Sequence, residues 1–259
     1  MLGLGAAAKI YPAVLLPVLA IVAVRHRGVR EAIFVAGSAL AAAAAVLLPF
    51  SIASFSGTWR SLQVQFTGGL QIESLASSVL VIGSHLAGKV SEFTTQGAGG
   101  GLIRIDLVGP GVAATTIAMN LLLPCALCLL WLSLARSTRD PREDLLRYAA
   151  GTVATVLVLG TVLSPQYVVW LIPLVPLVGG RRGAAAVVFF AAAAGLTNVW
   201  IPDHYFEYQE ELAAGPVSIL LARNLVLIVL ALVLLLPGRT SAEPEPGRAR
   251  FGVNRSGVA

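Results

Sequence analysis

Apolar windows long enough to cross a lipid bilayer recur along this chain, and they restrict it to folds that satisfy every backbone polar group internally. They fall at residues 7–24, 32–50, 107–135, 148–163, 168–179, 184–201 and 217–237. A hydrocarbon core of about 30 Å takes roughly 20 apolar residues wound as a helix. Open sheets leave unpaired N–H and C=O groups in lipid. The expected fold is therefore an all-α, polytopic transmembrane helix bundle of about seven spans. Composition agrees, since 57% of the residues are hydrophobic and only 12% charged, against about a quarter charged in soluble domains. The mean hydropathy is +0.83.

Only Ser164-Pro165-Gln166-Tyr167 separates the fourth window from the short fifth, so the two read as a hairpin with a tight turn. Polar residues at such a reversal interrupt an apolar run and call for partners there.

Arginine placement orients the bundle. Arg25, Arg27 and Arg30 follow the first window, and Arg136, Arg139, Arg142 and Arg147 follow the third. Arg181 and Arg182 follow the fifth, and Arg239, Arg248, Arg250 and Arg255 follow the seventh, which puts 13 of the 18 basic residues on one side. By the positive-inside rule that side is cytoplasmic, as is the C-terminus. The net charge of +5 then reports topology. It does not mark a nucleic-acid partner, because no basic patch is interleaved with aromatic residues.

No cleavable signal peptide is evident, since no basic region precedes the first window and Lys9, Pro12 and Pro17 lie within it. Cys125 and Cys128 sit inside the third window and read as small lipid-facing residues; two thiols do not complete a zinc site. No metal and no cofactor is expected. Gly97–Gly101 reads as a flexible connector, lacking the Gly-Lys-Ser/Thr ending of a nucleotide loop. Residues 238–259 read as a disordered cytoplasmic tail, and the Asn254-Arg255-Ser256 sequon within it as chance.

Residues 51–106 form the longest connection, on the outer side. Within it Leu75, Val79, Ile82 and Leu86 recur at helical spacing, with Ser77, Ser78 and His85 elsewhere around the turn. That pattern fits an amphipathic helix at the outer interface or one that plugs the bundle.

Polar groups gather on the outer face: Lys9 at the start of the first window, Arg223 about two turns into the seventh, and Gln166 with Tyr167 at the hairpin turn. Ionisable residues at membrane depth face a cavity or a partner. Two cations near one leaflet boundary suit a phosphate, which arginine binds through paired hydrogen bonds. Snorkelling to the headgroups is the alternative for both, and a third reading pairs Arg223 with Glu211 or Asp203. Glu73, Glu92, Asp106, Asp203, Glu207, Glu210 and Glu211 share the same face, and sequence does not rank them. Glu73 stands out for its place in Gly68-Gly69-Leu70-Gln71-Ile72-Glu73-Ser74, directly before the proposed helix. Asp203-His204-Tyr205 caps the sixth window and reads as an acid-base cluster or as solvated loop.

Lys9-Ile10-Tyr11-Pro12, Leu70-Gln71-Ile72-Glu73-Ser74, and Ser164-Pro165-Gln166-Tyr167 followed by Trp170 and Pro173 resemble, in that order, motifs of the C-type integral-membrane glycosyltransferases. Within that superfamily they look most like glycosyltransferase family eighty-seven, the polyprenol-phosphate-sugar-dependent mannosyl- and arabinofuranosyltransferases. The resemblance covers most of residues 1–237. It implies transfer of a sugar, mannose or arabinofuranose, from a polyprenyl-phosphate donor to an envelope glycan or glycolipid acceptor at the outer face of the cell membrane. It implies substrate-binding roles for Lys9, Tyr11, Glu73, Gln166, Tyr167 and Arg223. Family members carry further spans before the Lys-Tyr-Pro helix, with their general base in an earlier outer loop. The base is therefore expected upstream of Met1, and the chain reads as the C-terminal part of such an enzyme, with Lys9 and Arg223 steadying the departing phosphate during an inverting displacement. A transporter or flippase for an anionic lipid-linked sugar, and a non-catalytic membrane subunit, are the competing readings.

Overall fold

The structure is a computed structural model and describes residues 3, 5, 11–66, 68–97 and 104–236. Lys9, most of the Gly97–Gly101 connector, the 238–259 tail and its sequon lie outside the described residues.

The described residues are mostly helical. A 3₁₀ turn, Tyr11–Leu15, leads into α1 (Leu16–Arg27), followed by α2 (Val29–Ala53), α3 (Phe55–Phe66) and α4 (Leu75–Leu86). Two short strands, β1 (Thr94–Gly97) and β2 (Ile105–Val108), pair antiparallel with Thr95 opposite Leu107. Then come α5 (Val112–Ala135), α6 (Pro141–Leu159), 3₁₀ segments Pro165–Leu171 and Val175–Leu177, α7 (Gly180–Trp200), α8 (Tyr205–Glu211) and α9 (Ala214–Leu235). Four of these, α2, α5, α7 and α9, are long and apolar enough to cross a membrane.

The seven expected windows are not seven such helices. The fifth, 168–179, is a pair of 3₁₀ segments, because Pro173 and Pro176 remove backbone donors inside the window, which an α-helix interior does not tolerate. A 3₁₀ helix rises about 2.0 Å per residue against about 1.5 Å for an α-helix, so a short segment still reaches far. Tyr167 lies within electrostatic reach of Glu73 at one end of the bundle, whereas Arg182 lies within reach of Arg139 and Arg147 at the other. The long connection 51–106 likewise holds more than one helix. It contains α3, α4 and the hairpin, and the third window loses residues 107–108 to β2.

The core centres on α9, which packs against α7, α6 and α4. Its Leu220, Leu227, Leu230 and Leu234 are fully buried. Ala150 and Ala154 of α6 are also fully buried, and a Cβ on Gly151 would strike Leu235. Small residues on α6 thus let the two backbones approach, which is how helices associate where lipid offers no hydrophobic drive.

One end of the bundle is basic. Arg25 donates to Asp144 at 2.7 Å and to the carbonyls of Leu134 and Arg139. Arg147 caps α9, its Nε and Nη2 donating to the Leu234 and Leu235 carbonyls at 2.6 and 2.8 Å, which satisfies acceptors that a helix C-terminus leaves open. Asp140 caps α6 by accepting from the Arg142 amide, with Pro141 in the first turn.

Candidate functional site

At the opposite end, residues 68–74 fold inward and are held by the hairpin. The Ile72 amide donates to the Ile105 carbonyl, the Leu107 amide to the Leu70 carbonyl, and the Gln71 amide to the Thr161 carbonyl. A buried segment needs all its backbone groups paired, and β2 supplies the missing partners as a strand would. Gly69 allows the approach, since a Cβ there would lie 2.8 Å from Asp106 Oδ2. Asp106 accepts from the Gly69 amide and holds Arg104 through two bonds of 2.8 and 3.0 Å, while Arg104 also donates to the Gly69 carbonyl.

The segment ends at Glu73, 3% exposed. Its carboxylate accepts from Gln71 Nε2. Burial raises its pKa from 4.5 to about 7, against the lowering effects of the Arg223 charge and the Gln71 hydrogen bond. The backbone carbonyl of Glu73 accepts from Arg223 Nη2 at 2.6 Å and more weakly from Asn224 Nδ2 at 3.5 Å. Asn224 Oδ1 accepts in turn from Arg223 Nε and Nη2, and its Nδ2 donates to Ser78 Oγ at 3.0 Å. Arg223 Nη1 and Gln71 Oε1 are buried without a partner among the described residues.

Ser74 starts α4 by accepting from the Ser77 amide, and α4 then runs back toward the start of α9, where His85 Nε2 contacts the Leu212 carbonyl at 2.7 Å. The helix is therefore packed into the bundle. Ser77 and Ser78 are fully buried, whereas Val79 and Leu86 point outward. The buried face is mixed, with Ala76 and Val81 buried beside Ser77, Ser78 and Ser84.

Phenols complete the site. Tyr208 Oη donates to the Ile72 carbonyl at 3.3 Å. Burial pushes the Tyr208 and Tyr205 phenols up, and the charge of Glu73 adds to both. Trp200 meets these two rings edge-on, at 5.4 and 6.2 Å between centroids. Tyr167 is stacked on Trp170 at 4.1 Å.

Of the residues named from sequence, Glu73, Arg223 and Tyr167 come together. Gln166 does not join them. It is exposed and lines a separate, largely apolar cavity of about 380 Å³ with Val169, Ile172, Phe190 and Asn198. Tyr11 opens the first 3₁₀ turn. Arg223 is wholly buried and is bound to the Glu73 backbone, so in this conformation it neither snorkels nor presents a phosphate fork at a surface. Its neighbouring acid is Glu73, while Glu211 and Asp203 are exposed. Asp203-His204-Tyr205 divides: Tyr205 faces the site, and His204 pairs with exposed Glu207 at 3.5 Å.

Gln71, Asn224 and Tyr208 belong to the site and were not singled out from sequence. Asn224 carried a signal, a second polar residue beside Arg223 in an apolar window. Cys125 and Cys128 are unpaired and exposed on α5. No family model, curated protein or solved structure matches the chain.

Proposed function

We propose that this chain is a membrane glycosyltransferase, or the C-terminal part of one, which transfers mannose or arabinofuranose from a polyprenyl-phosphate donor to an envelope glycan or glycolipid. The carrying observation is Glu73. A carboxyl with a pKa of about 7, in contact with Gln71 and within electrostatic reach of three phenols, exchanges donor and acceptor roles near neutral pH. Sugar hydroxyls need partners of that kind.

In this reading Glu73, Tyr167 and Tyr205 face the sugar, and Lys9 and Tyr11 serve the phosphate end of the donor. Arg223 acts through Glu73, by fixing its main chain. The apolar cavity beside Gln166 takes the first prenyl units. The basic end is cytoplasmic, as is the C-terminus, and the site lies at the outer end. The shorter α1, α6 and the 165–177 segment complete seven crossings with the four long helices.

Binding tests this first. Purified protein in nanodiscs is titrated with labelled polyprenyl-phosphomannose and polyprenyl-phosphoarabinofuranose. One of them binds, and Glu73→Gln with Tyr167→Phe weakens it about tenfold, the worth of one or two lost charge-assisted bonds. Equal binding by wild type and variant contradicts the assignment.

The depth of the site favours one second reading. Arg223 lies nine residues into α9, about 14 Å from its start at about 1.5 Å per residue, and the inward-folded 68–74 segment resembles the irregular elements that line transporter cavities. A flippase for the same lipid-linked sugar would bind the donor and move it across the bilayer without transferring the sugar.

A further inference from the structure

Between α2 and the inward-folded 68–74 segment lies α3, Phe55–Phe66, a helix that stands clear of the core. Among the described residues it packs against α2, and none of its residues from 55 to 63 is buried. Its sequence is amphipathic. Phe55, Trp59 and Leu62 recur at i, i+4 and i+7 and share one face, while Ser56, Arg60 and Ser61 occupy the rest of the turn. Phe55 and Trp59 are 74% and 55% exposed, so among the described residues the apolar face is left uncovered. The amphipathic interface helix expected within 51–106 fits α3 better than α4, which is packed into the bundle.

What covers this face follows from where α2 delivers it. α2 leaves the basic end directly after Arg25, His26 and Arg27, and its 25 residues extend about 37 Å at about 1.5 Å per residue, more than the roughly 30 Å of a hydrocarbon core. Its most apolar stretch is not buried at all, and Leu48, Phe50 and Ile52 near its end are exposed, as lipid surroundings require. Only Ser54 separates that end from α3, where the pattern changes from apolar all round to apolar on one side. A chain makes that change on passing from the hydrocarbon core into the headgroup layer, where helices lie with one face immersed and tryptophan is enriched. Charge agrees. Arg60 is the single ionisable residue of α3, and no acidic residue occurs between Glu31 and Glu73, so this stretch presents only positive charge to lipid phosphates. A protein partner would gain little from the same face. Aromatic side chains bury about 150–250 Å² each, and three side chains of that size fall short of the roughly 800 Å² per partner of a stable interface.

We propose that α3 lies in the headgroup layer of the leaflet at the Glu73 end, with Phe55, Trp59 and Leu62 in the acyl boundary and Arg60 among the phosphates. Because α3 ends at Phe66 and the inward segment begins at Gly68, the bilayer surface then holds one end of the segment that carries Glu73, while α4 holds the other. This rests on the membrane placement of α2 and not on the sugar-transfer reading.

The test uses the purified full chain in nanodiscs of phosphatidylcholine and phosphatidylglycerol. On a background of Cys125→Ala with Cys128→Ala, five proteins carry one cysteine each: Phe55→Cys, Ser56→Cys, Trp59→Cys, Ser61→Cys or Leu62→Cys. Each is spin-labelled, and its collisions with oxygen, which concentrates in the bilayer, are compared with its collisions with a water-soluble nickel chelate. The ratio of oxygen to nickel collisions is severalfold higher at 55, 59 and 62 than at 56 and 61. A second readout needs no label. Dibrominated phosphatidylcholine quenches the Trp59 emission, obtained as wild type minus Trp59→Phe, and aqueous iodide does not. Nickel access at all five positions, shielding of 55, 59 and 62 from both reagents as in a protein contact, or oxygen access without nickel access at all five overturns the proposal.

Discussion

Arg223 Nη2 donates to the backbone carbonyl of Glu73 at 2.6 Å, joining residues 150 positions apart and fixing the tip of an inward-folded segment against α9. The same guanidinium charge also bears on the Glu73 carboxyl. Because Arg223 lowers the Glu73 pKa against the raising effect of burial, Arg223→Met moves it above about 7. Infrared titration of the protonated-carboxyl band, with Glu73→Gln to assign it, shows the band persisting to higher pH in the variant. An unchanged titration contradicts the coupling.

Glu73 makes stability depend on pH. Its folded pKa of about 7 exceeds the ordinary 4.5, so the folded state holds the proton more tightly than the unfolded one. The Glu73 contribution to stability is greatest below about pH 4.5, falls as pH rises toward 7, and above that is lower by on the order of 3 kcal/mol. Glu73→Gln removes this slope, so thermal unfolding in detergent finds the variant more stable than wild type at pH 8 and little different at pH 4.5. Equal wild-type midpoints at the two pH values would show that Glu73 is not held in this way.

The two ends of the bundle were legible from sequence to different degrees. Arginines recurring after alternate windows announced the basic end, and Arg25, Arg139 and Arg147 do meet there. At the other end Glu73 and Arg223 stood out because ionisable groups are rare in apolar surroundings. Their relationship did not, because the path of 68–74 is set by β2, more than 30 residues later in the chain. Strands as short as Thr94–Gly97, polar and largely exposed, carry little alternation to read. The spacing of Leu75, Val79, Ile82 and Leu86 located α4 but not its orientation, since the buried face carries Ser77, Ser78 and Ser84 together with Ala76 and Val81, while Val79 and Leu86 are exposed. The proline spacing after Gln166 was the readable sign that the fifth window would not be α-helical.

The Arg25–Asp144 pair at the basic end is the strongest fold contact to test. Asp144 is fully buried and Arg25 is 15% exposed in its side chain. Arg25→Ala strands a buried carboxylate and lowers stability by about 3–5 kcal/mol. Arg25→Met with Asp144→Leu restores most of that loss, because no charge is left unpaired. Chemical unfolding of both variants checks it, and a double variant as unstable as the single one would assign the loss to packing.

Sugar transfer itself is the most direct test of the account. Membranes carrying this chain, and membranes from the same host without it, are given radiolabelled polyprenyl-phosphomannose or polyprenyl-phosphoarabinofuranose, and label in envelope glycans and glycolipids is counted. The account predicts label above the host background from one donor, lost in Glu73→Gln. Donor that is bound, or moved across the bilayer, with no label transferred at any pH between 5 and 9 would contradict it.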